Sequence, residues 1–280
     1  MAWELTDDVE RFAEAAGEFL RSRPVEHTVP LTLIATLRRR GSQAFGTGEP
    51  VFGSWRAADG RVDGMLLQTP PHPVIFSVVP AEALRDAVEV LADRPLPGVN
   101  LPARDADVFV DGWRRRTGAT AVVRMRTRLY RLNTLTPQPT PPAGAARTAG
   151  PDDRDVVLRW MAEFLAEIGE PYGENEAAVD EWISYGGVTL WEVGGEPVSM
   201  ATRSRLEAGM VRIRTVYTPR QARGRGYAGA ATTVASREAL GDGAHHVVLN
   251  TDLANATSNG LYQRLGYRAV EDRTVVEFSQ

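Results

Sequence analysis

Hydrophobic positions change their period along the chain, and these changes outline a series of helices and strands. In the second half, apolar residues at helical spacing predict a helix from Pro151 to Ile168 and a shorter one at 174–185. Runs of apolar and β-branched residues joined by short glycine turns predict an antiparallel meander. Its strands are expected at 188–193, 198–206 and 210–218. The remaining elements are expected as a helix at 223–240, a strand at 247–251, a helix at 258–265 and a final hairpin at 267–278.

The first half repeats the same order of elements with a weaker pattern. Helices are expected at 7–21, 31–40, 81–91 and 105–116, and strands at 51–56, 62–69, 74–79, 98–101 and 121–132. Pro80 and Pro219 each close the third strand of their half, 139 residues apart. We infer an internal duplication, since repeated order at one offset is the mark of tandem units.

A proline-rich stretch separates the two halves. Pro137, Pro139, Pro141 and Pro142 favour an extended, semi-rigid segment with no apolar face. The sequence therefore predicts an N-terminal domain at 1–136, a linker at 137–144 and a C-terminal domain at 145–280. Two domains also suit a chain of 280 residues.

Two amino acids are missing from the chain, and their absence narrows the chemistry. Without cysteine there is no disulfide, thiolate metal site or thiol nucleophile. All 32 basic residues are arginine, which excludes a Walker-type lysine and a Schiff base. The four scattered histidines predict no metal site. A net charge of −4 and the lack of a long apolar run lead us to expect a cytoplasmic protein without nucleic-acid or membrane partners.

The segment Pro219–Gly229 carries the clearest local chemistry. Glycines at 224 and 226, between a strand and a long helix, let backbone N–H groups approach a ligand. The helix dipole and the guanidinium groups of Arg223 and Arg225 favour phosphate oxygens. We interpret the turn as a pyrophosphate cradle; the alternative is a solvated, arginine-rich helix cap.

A dinucleotide site is a second interpretation of the same turn. Gly224, Gly226 and Gly229 form a G-x-G-x-x-G string, and Asp252 ends a later strand. A dinucleotide fold, however, places that string at the start of parallel βα crossovers. Here the turn follows a predicted antiparallel meander, so we disfavour this interpretation.

Residues 145–280 resemble a GNAT-superfamily N-acetyltransferase. The stretch TVYTPRQARGRGYA at 215–228 resembles that family's acetyl-CoA signature Q/R-x-x-G-x-G/A, and the stretch from Asn255 to Tyr267 resembles its N-x-x-S/A…Y-x-x-x-G-F/Y segment. The resemblance implies an α/β (α+β) fold with a mixed, mostly antiparallel central sheet flanked by helices. For the first half, membership is implied only by analogy, as a degenerate copy in a tandem chain.

The resemblance also implies an activity and a site. Acetyl-CoA is the expected co-substrate, without a metal, and the acetyl group passes directly to an amine. The expected contacts to acetyl-CoA are Val216, Tyr217, Thr218, Gln221, Ala222, Arg223, Gly224, Arg225, Gly226, Tyr227, Ala228, Asn255 and Ser258. Tyr262 is the expected general acid, since a phenol matches a thiolate leaving group. Alternatively, Tyr262 is a core residue, and Asn255 and Ser258 cap a helix.

Several assignments stay open at the level of sequence. Glu163 and Glu167 share a helix face that either lines an acceptor groove or is a solvated acidic surface. Arg212 and Arg214 either hold an acceptor carboxylate or face water. The general base and the acceptor, a small-molecule amine or a peptide, are not readable. A silent acyl-CoA sensor is the alternative function.

The first half lacks the cradle, because acidic residues and no glycine follow Pro80. We expect this half to hold no acetyl-CoA and to act as an internal pseudo-dimer partner in a monomer or homodimer.

Overall fold

The computed structural model describes residues 1–169 and 176–279 and divides the chain into two compact units. The first unit comprises Met1–Leu129, Thr251–Ala254 and the segment from Val270 onward; the second comprises Tyr130–Asn250 and Asn255–Ala269. The predicted linker at 137–144 thus lies inside the second unit. The boundaries predicted for the two repeats, 1–136 and 145–280, stay predictions.

The described residues form eight α-helices and twelve strands. The helices are α1 (Val9–Ser22), α2 (Thr28–Arg40), α3 (Ala81–Leu91), α4 (Ala106–Thr117), α5 (Arg154–Ile168), α6 (Glu176–Ser184), α7 (Tyr227–Gly241) and α8 (Ala256–Arg264). The strands are β1 (Ala2–Thr6), β2 (Val51–Arg56), β3 (Val62–Gln68), β4 (Val74–Phe76), β5 (Gly98–Pro102), β6 (Thr120–Leu132), β7 (Ala145–Thr148), β8 (Val188–Val193), β9 (Glu196–Arg203), β10 (Met210–Tyr217), β11 (His246–Asp252) and β12 (Tyr267–Ser279).

In the first unit, β1 to β5 pair in chain order, and Arg273–Glu277 of β12 pairs with β5. The β4–β5 pair is parallel, while the other pairs from β1 to β5 are antiparallel. Side chains alternate between the two faces because a strand has a period of two. Leu66 packs with α3 and α4 on one face, and Leu67 packs with α1 and α2 on the other.

The second unit has the same plan. Strands β7 to β11 are adjacent, with parallel pairing between β10 and β11 and antiparallel pairing elsewhere. Leu190 and Met200 pack with α5 and α6, whereas Trp191 and Ala201 pack with α7. The predicted fold class, a mixed and mostly antiparallel sheet flanked by helices, is confirmed.

Three local predictions are wrong. Each unit begins with a short edge strand, β1 or β7, that was not predicted, because β7 has no apolar alternation and β1 alternates only at Trp3 and Leu5 within five residues. The expected C-terminal hairpin is instead one extended strand, β12. The expected helix at 223–240 begins only at Tyr227, because Gly224 and Gly226 adopt positive φ values of 77° and 85°. Of the helix expected at 174–185, residues 174 and 175 lie outside the described residues.

An ion pair between Arg147 and Asp153 holds the segment that leads into α5. Both guanidinium NH groups of Arg147 donate to the carboxylate of Asp153, which also accepts from the Gly150 N–H at 2.8 Å. Arg147 is the main cause that holds the pKa of Asp153 below its usual range, assisted by the Gly150 N–H. Since the folded-state pKa is lowered, this carboxylate stabilises the fold above its unfolded pKa of about 4.

We therefore expect Asp153→Asn to lower the free energy of unfolding by about 2 kcal/mol at pH 7, since it removes charge-assisted hydrogen bonds. Urea unfolding of wild type and variant should converge as the pH falls through the folded-state pKa of Asp153. Asp155→Asn, at an exposed position of α5, is the control and should change the free energy by no more than about 0.5 kcal/mol. A pH-independent difference would contradict the assignment.

Candidate active site

Two parallel neighbours separate in the middle of the second unit's sheet. Strand β10 pairs with β11 only from Met210 to Ile213, although β10 continues to Tyr217. The register of β10 against β9 shifts between Ile213 and Val216, which marks a bulge. Residues 214–217 of β10 therefore lie outside the parallel ladder, and their backbone groups on that side are available to another extended molecule.

The glycine turn lies directly after β10. A short 3-10 turn at Arg220–Ala222 is followed by Gly224 and Gly226, both in the left-handed region. A Cβ atom built at Gly224 meets nothing within 4 Å, so the backbone there faces open space. Gly226 caps α7 without a side-chain hydrogen bond, whereas Asp8 and Asn255 cap α1 and α8 through their side chains. The first N–H groups of α7 are thus left for an external acceptor.

Side chains of this segment take different roles. Ala222 and Tyr227 are buried in the core beside α7, so only their backbone can face a ligand. The Thr218 hydroxyl lies 2.8 Å from the Ser199 Oγ atom. Gln221 is exposed, and Ala228 is half-buried in the first turn of α7.

The two arginines of the turn differ. The guanidinium group of Arg223 donates to both carboxylate oxygens of Glu167, each at 2.7 Å, and to the Thr218 carbonyl. The Arg223 guanidinium is therefore bound to α5 and does not lie at the N-terminus of α7. Arg225 is exposed and forms no ion pair within 1–169 and 176–279. Of the two predicted phosphate contacts, Arg225 is the one whose charge is uncommitted.

The second predicted motif surrounds α8. The Asn255 side chain accepts from the Ser258 N–H at 3.0 Å, which is the helix-capping arrangement. Tyr262 is buried, and its ring meets that of Tyr267 edge-on at 6.1 Å. Burial raises the pKa of Tyr262 to about 12. Its hydroxyl makes no hydrogen bond to the part of the chain that the structure describes, so the proton is free to be donated.

An open cavity of about 520 Å³ lies between α5, the start of β9 and the end of β10. Glu163, which is half-buried, and Glu167, which is exposed, both line it, so the two interpretations of this helix face stay open. The Tyr217 hydroxyl donates to Glu163 Oε2 at 2.8 Å. Burial and this carboxylate raise the pKa of Tyr217 to about 12.

Gln138 is a residue near the site that the sequence did not indicate. Its amide Nε2 lies 3.1 Å and 2.8 Å from where Cβ atoms would stand at Gly226 and Gly229. The segment is held on either side by two hydrogen bonds: the Thr136 backbone N–H donates to the Leu265 carbonyl, and the Trp191 indole N–H donates to the Ala143 carbonyl. The proline-rich stretch therefore packs on the glycine face of α7. No local pattern in the sequence could show this.

Arg212 and Arg214 lie on the α5–α6 side of the sheet. The Arg214 guanidinium lies over the Trp182 ring at 5.3 Å. Arg212 is half-buried, and its Nε has no hydrogen-bond partner in 1–169 and 176–279. Burial, assisted by the charge of Arg214, lowers the pKa of Arg212 to about 9. The alternative in which the Arg212 side chain simply faces water is therefore wrong, because its Nε atom is buried.

In the first unit, α3 begins directly after Pro80, and its first turn carries Glu82. This position has no glycine turn comparable to residues 220–226. Within the described residues there is no cluster of three or more metal-ligating side chains, and no helix has the length and apolar character that a membrane crossing needs.

Residues 157–267 match the model of the acetyltransferase (GNAT) family. This stretch contains the glycine turn and the predicted motif around α8. No curated protein matches the chain.

Solved structures share the fold across nearly the whole chain. A GNAT-family acetyltransferase from Colwellia psychrerythraea has a TM-score of 0.63 at 12% identity, with 99% of both chains covered. A GCN5-related N-acetyltransferase from Sphaerobacter thermophilus has a TM-score of 0.62 at 16% identity, covering 99% of this chain and 95% of the other. A tandem GNAT protein of the clavulanic acid biosynthesis pathway has a TM-score of 0.55 at 13% identity, covering 99% and 98%.

Proposed function

We propose that the second unit transfers an acetyl group from acetyl-CoA to an amine. The observation that carries this proposal is the separation of β10 from β11 beyond Ile213, next to the N-terminus of α7, which has no side-chain cap. An extended pantetheine arm suits the unpaired edge of β10, and a pyrophosphate suits the N–H groups behind Gly224 and Gly226.

The roles of the residues follow from this placement. Backbone groups of Val216 and Thr218 hold the arm, and an N–H of β10 polarises the thioester carbonyl. The turn from Gln221 to Ala228 holds the pyrophosphate, with Arg225 as its charged side chain. Asn255, beyond its capping role, and Ser258 border the arm from α8.

The reaction forms a C–N bond and breaks a C–S bond. A neutral amine nitrogen attacks the thioester carbon, the carbon–sulfur bond breaks, and the sulfur takes the electron pair. The Tyr262 hydroxyl donates its proton to this sulfur, solvent takes the proton lost from nitrogen, and solvent returns a proton to the Tyr262 phenolate. A neutral phenol suits the task because the pKa of about 12 keeps Tyr262 protonated at neutral pH.

The direct test combines binding and turnover. Calorimetry with acetyl-CoA should show binding in the micromolar range, and a panel of amines should release CoA faster than water does. Binding without turnover on any amine would instead support the silent acyl-CoA sensor. Retention of NAD rather than CoA would overturn the proposal.

We further propose that the first unit holds no acetyl-CoA, because α3 starts without a glycine turn and with an acidic residue. The expected stoichiometry in calorimetry is therefore one acetyl-CoA per chain. We also propose that the protein is cytoplasmic, that it binds no nucleic acid and that it is a monomer or a homodimer.

A further inference from the structure

The cavity beside α5 is lined by charged side chains, and they differ in how far contacts within the fold account for them. Its α5 wall presents Arg159, Glu163 and Glu167, spaced four residues apart on one helix face. Glu167 is committed to Arg223 and lies 3.5 Å from Arg220. Arg159 and Glu163 remain to be explained.

Arg159 and Glu163 are one helical turn apart but do not pair. An arginine and a glutamate at this spacing are neighbours on a helix surface and are within reach of an ion pair. Here Glu163 Oε2 accepts from the Tyr217 hydroxyl instead, which draws this carboxylate towards the end of β10. Arg159 forms no ion pair or hydrogen bond with any residue of the described ranges, and it borders the same space.

The cavity therefore presents a cation and a partly used carboxylate, whose Cα atoms are separated by about 6 Å along the helix axis, the rise of four residues. Trp160 forms an apolar wall beside them, packed against Tyr217 at 6.2 Å between ring centroids. The volume of about 520 Å³ lies within the range of small-molecule sites. A ligand that matches both charges is a small zwitterion.

We propose that the acceptor is a small α-amino acid or a close analogue, with its carboxylate on Arg159 and its ammonium on Glu163. The ammonium loses one proton to solvent before its nitrogen attacks the thioester. This inference rests on the proposed function and names the acceptor class of the same site. The Glu163 carboxylate contacts Tyr217, the last residue of β10. The bound amine therefore lies on the face of β10 that α5 covers, next to the edge that is left unpaired for the thioester arm. Arg159 and Glu163 act as acceptor-binding residues.

The test compares L-amino acids with their carboxamides, which keep the amine and lose the carboxylate charge. With acetyl-CoA saturating, kcat/KM should be at least tenfold higher for the preferred amino acid than for its carboxamide. Arg159→Met should remove this preference by raising KM for the amino acid about tenfold, with the carboxamide unchanged. Glu163→Gln should raise KM for both acceptors and leave the Kd of acetyl-CoA unchanged.

Arg237→Met is the matched control, because Arg237 is another exposed helical arginine and lies on α7 outside the cavity. It should leave the preference intact. Equal turnover of amino acids and carboxamides, or an equal effect of Arg159→Met on both, would overturn the inference.

A binding arm separates this inference from the proposed function. The same L-amino acids and carboxamides are titrated into the protein without acetyl-CoA and followed by tryptophan fluorescence. Amino-acid binding that Arg159→Met abolishes supports the zwitterion cavity even if acetyl-CoA fails to bind, in which case only the proposed function is wrong. Acetyl-CoA binding with neither amino-acid binding nor amino-acid turnover overturns the acceptor class alone.

Discussion

Gly224→Glu is expected to weaken acetyl-CoA binding by at least about 100-fold, since a carboxylate would enter the space where a pyrophosphate is to bind. A Cβ at this position meets nothing within 4 Å, so the new side chain fits sterically and extends into the cradle. The backbone φ of 77° adds a strain of about 1–3 kcal/mol to the folded state. Calorimetry with acetyl-CoA measures the loss.

Two controls separate charge from strain. Gly224→Ala brings the same backbone strain without the charge and should retain most of the affinity. Gly194→Glu places the same side chain at a positive φ of 62°, also with nothing within 4 Å, in the turn between β8 and β9. It should destabilise the protein like Gly224→Glu and leave the Kd unchanged. If both glutamate variants lose affinity equally, the cradle assignment is wrong.

Tyr262→Phe is expected to lower kcat by about 100-fold, the typical contribution of a general acid, with the Kd of acetyl-CoA nearly unchanged. Because burial raises the pKa of Tyr262 to about 12, the phenol keeps its proton throughout the alkaline range of an ordinary assay. The wild-type kcat should therefore show no alkaline decline near pH 10, where an exposed tyrosine ionises. Steady-state kinetics from pH 7 to about 10.5 check both expectations.

Tyr267→Phe is the matched control for this prediction. Tyr267 is also buried, and its hydroxyl lies 2.7 Å from the Ser236 Oγ atom. Loss of that hydrogen bond should cost about 1 kcal/mol of stability and leave kcat unchanged. A fully active Tyr262→Phe enzyme would return Tyr262 to the core role that its neighbours Leu261 and Leu265 also allow.

The sequence predicts the sheet well where strands are buried on both faces. The meander of β8, β9 and β10 and its counterpart in the first half are confirmed, because continuous apolar runs and glycine turns define them. The edge strands were missed for the opposite reason. Strand β7, AART, has no apolar period and is held by main-chain pairing to β8.

The extended form of β12 depends on partners that are remote in sequence. Glu271, Asp272 and Arg273 are typical of a turn exposed to water. In the structure, Arg128 holds the Asp272 carboxylate at 2.6 and 2.7 Å, and the Arg273 guanidinium donates to Asn100 and to the Phe76 carbonyl. The charges are satisfied within the fold, so the chain stays extended, and no local pattern could indicate this.

The candidate site likewise has one part that the sequence predicts and another that it does not. Its backbone part, the glycine turn, could be predicted because glycine adopts the required positive φ without steric cost. Its side-chain part depends on contacts between residues that are remote in sequence. Arg223 donates to Glu167, which is 56 positions earlier, and the Tyr217 hydroxyl donates to Glu163, which is 54 positions earlier. The four-residue spacing of Arg159 and Glu163 is visible in the sequence, but their failure to pair is not.

The position of β12 has a consequence for how the protein is made. Arg273 bonds to Asn100, 173 positions before it, and Arg273–Glu277 supplies the strand beside β5. On the ribosome, the first unit must therefore wait with β5 uncovered until the whole second unit has been synthesised. A nascent chain released before residue 270 would expose that edge, which is a site for strand-to-strand aggregation. Expression of either half alone is thus a poor route to a folded fragment, whatever its sequence boundaries suggest.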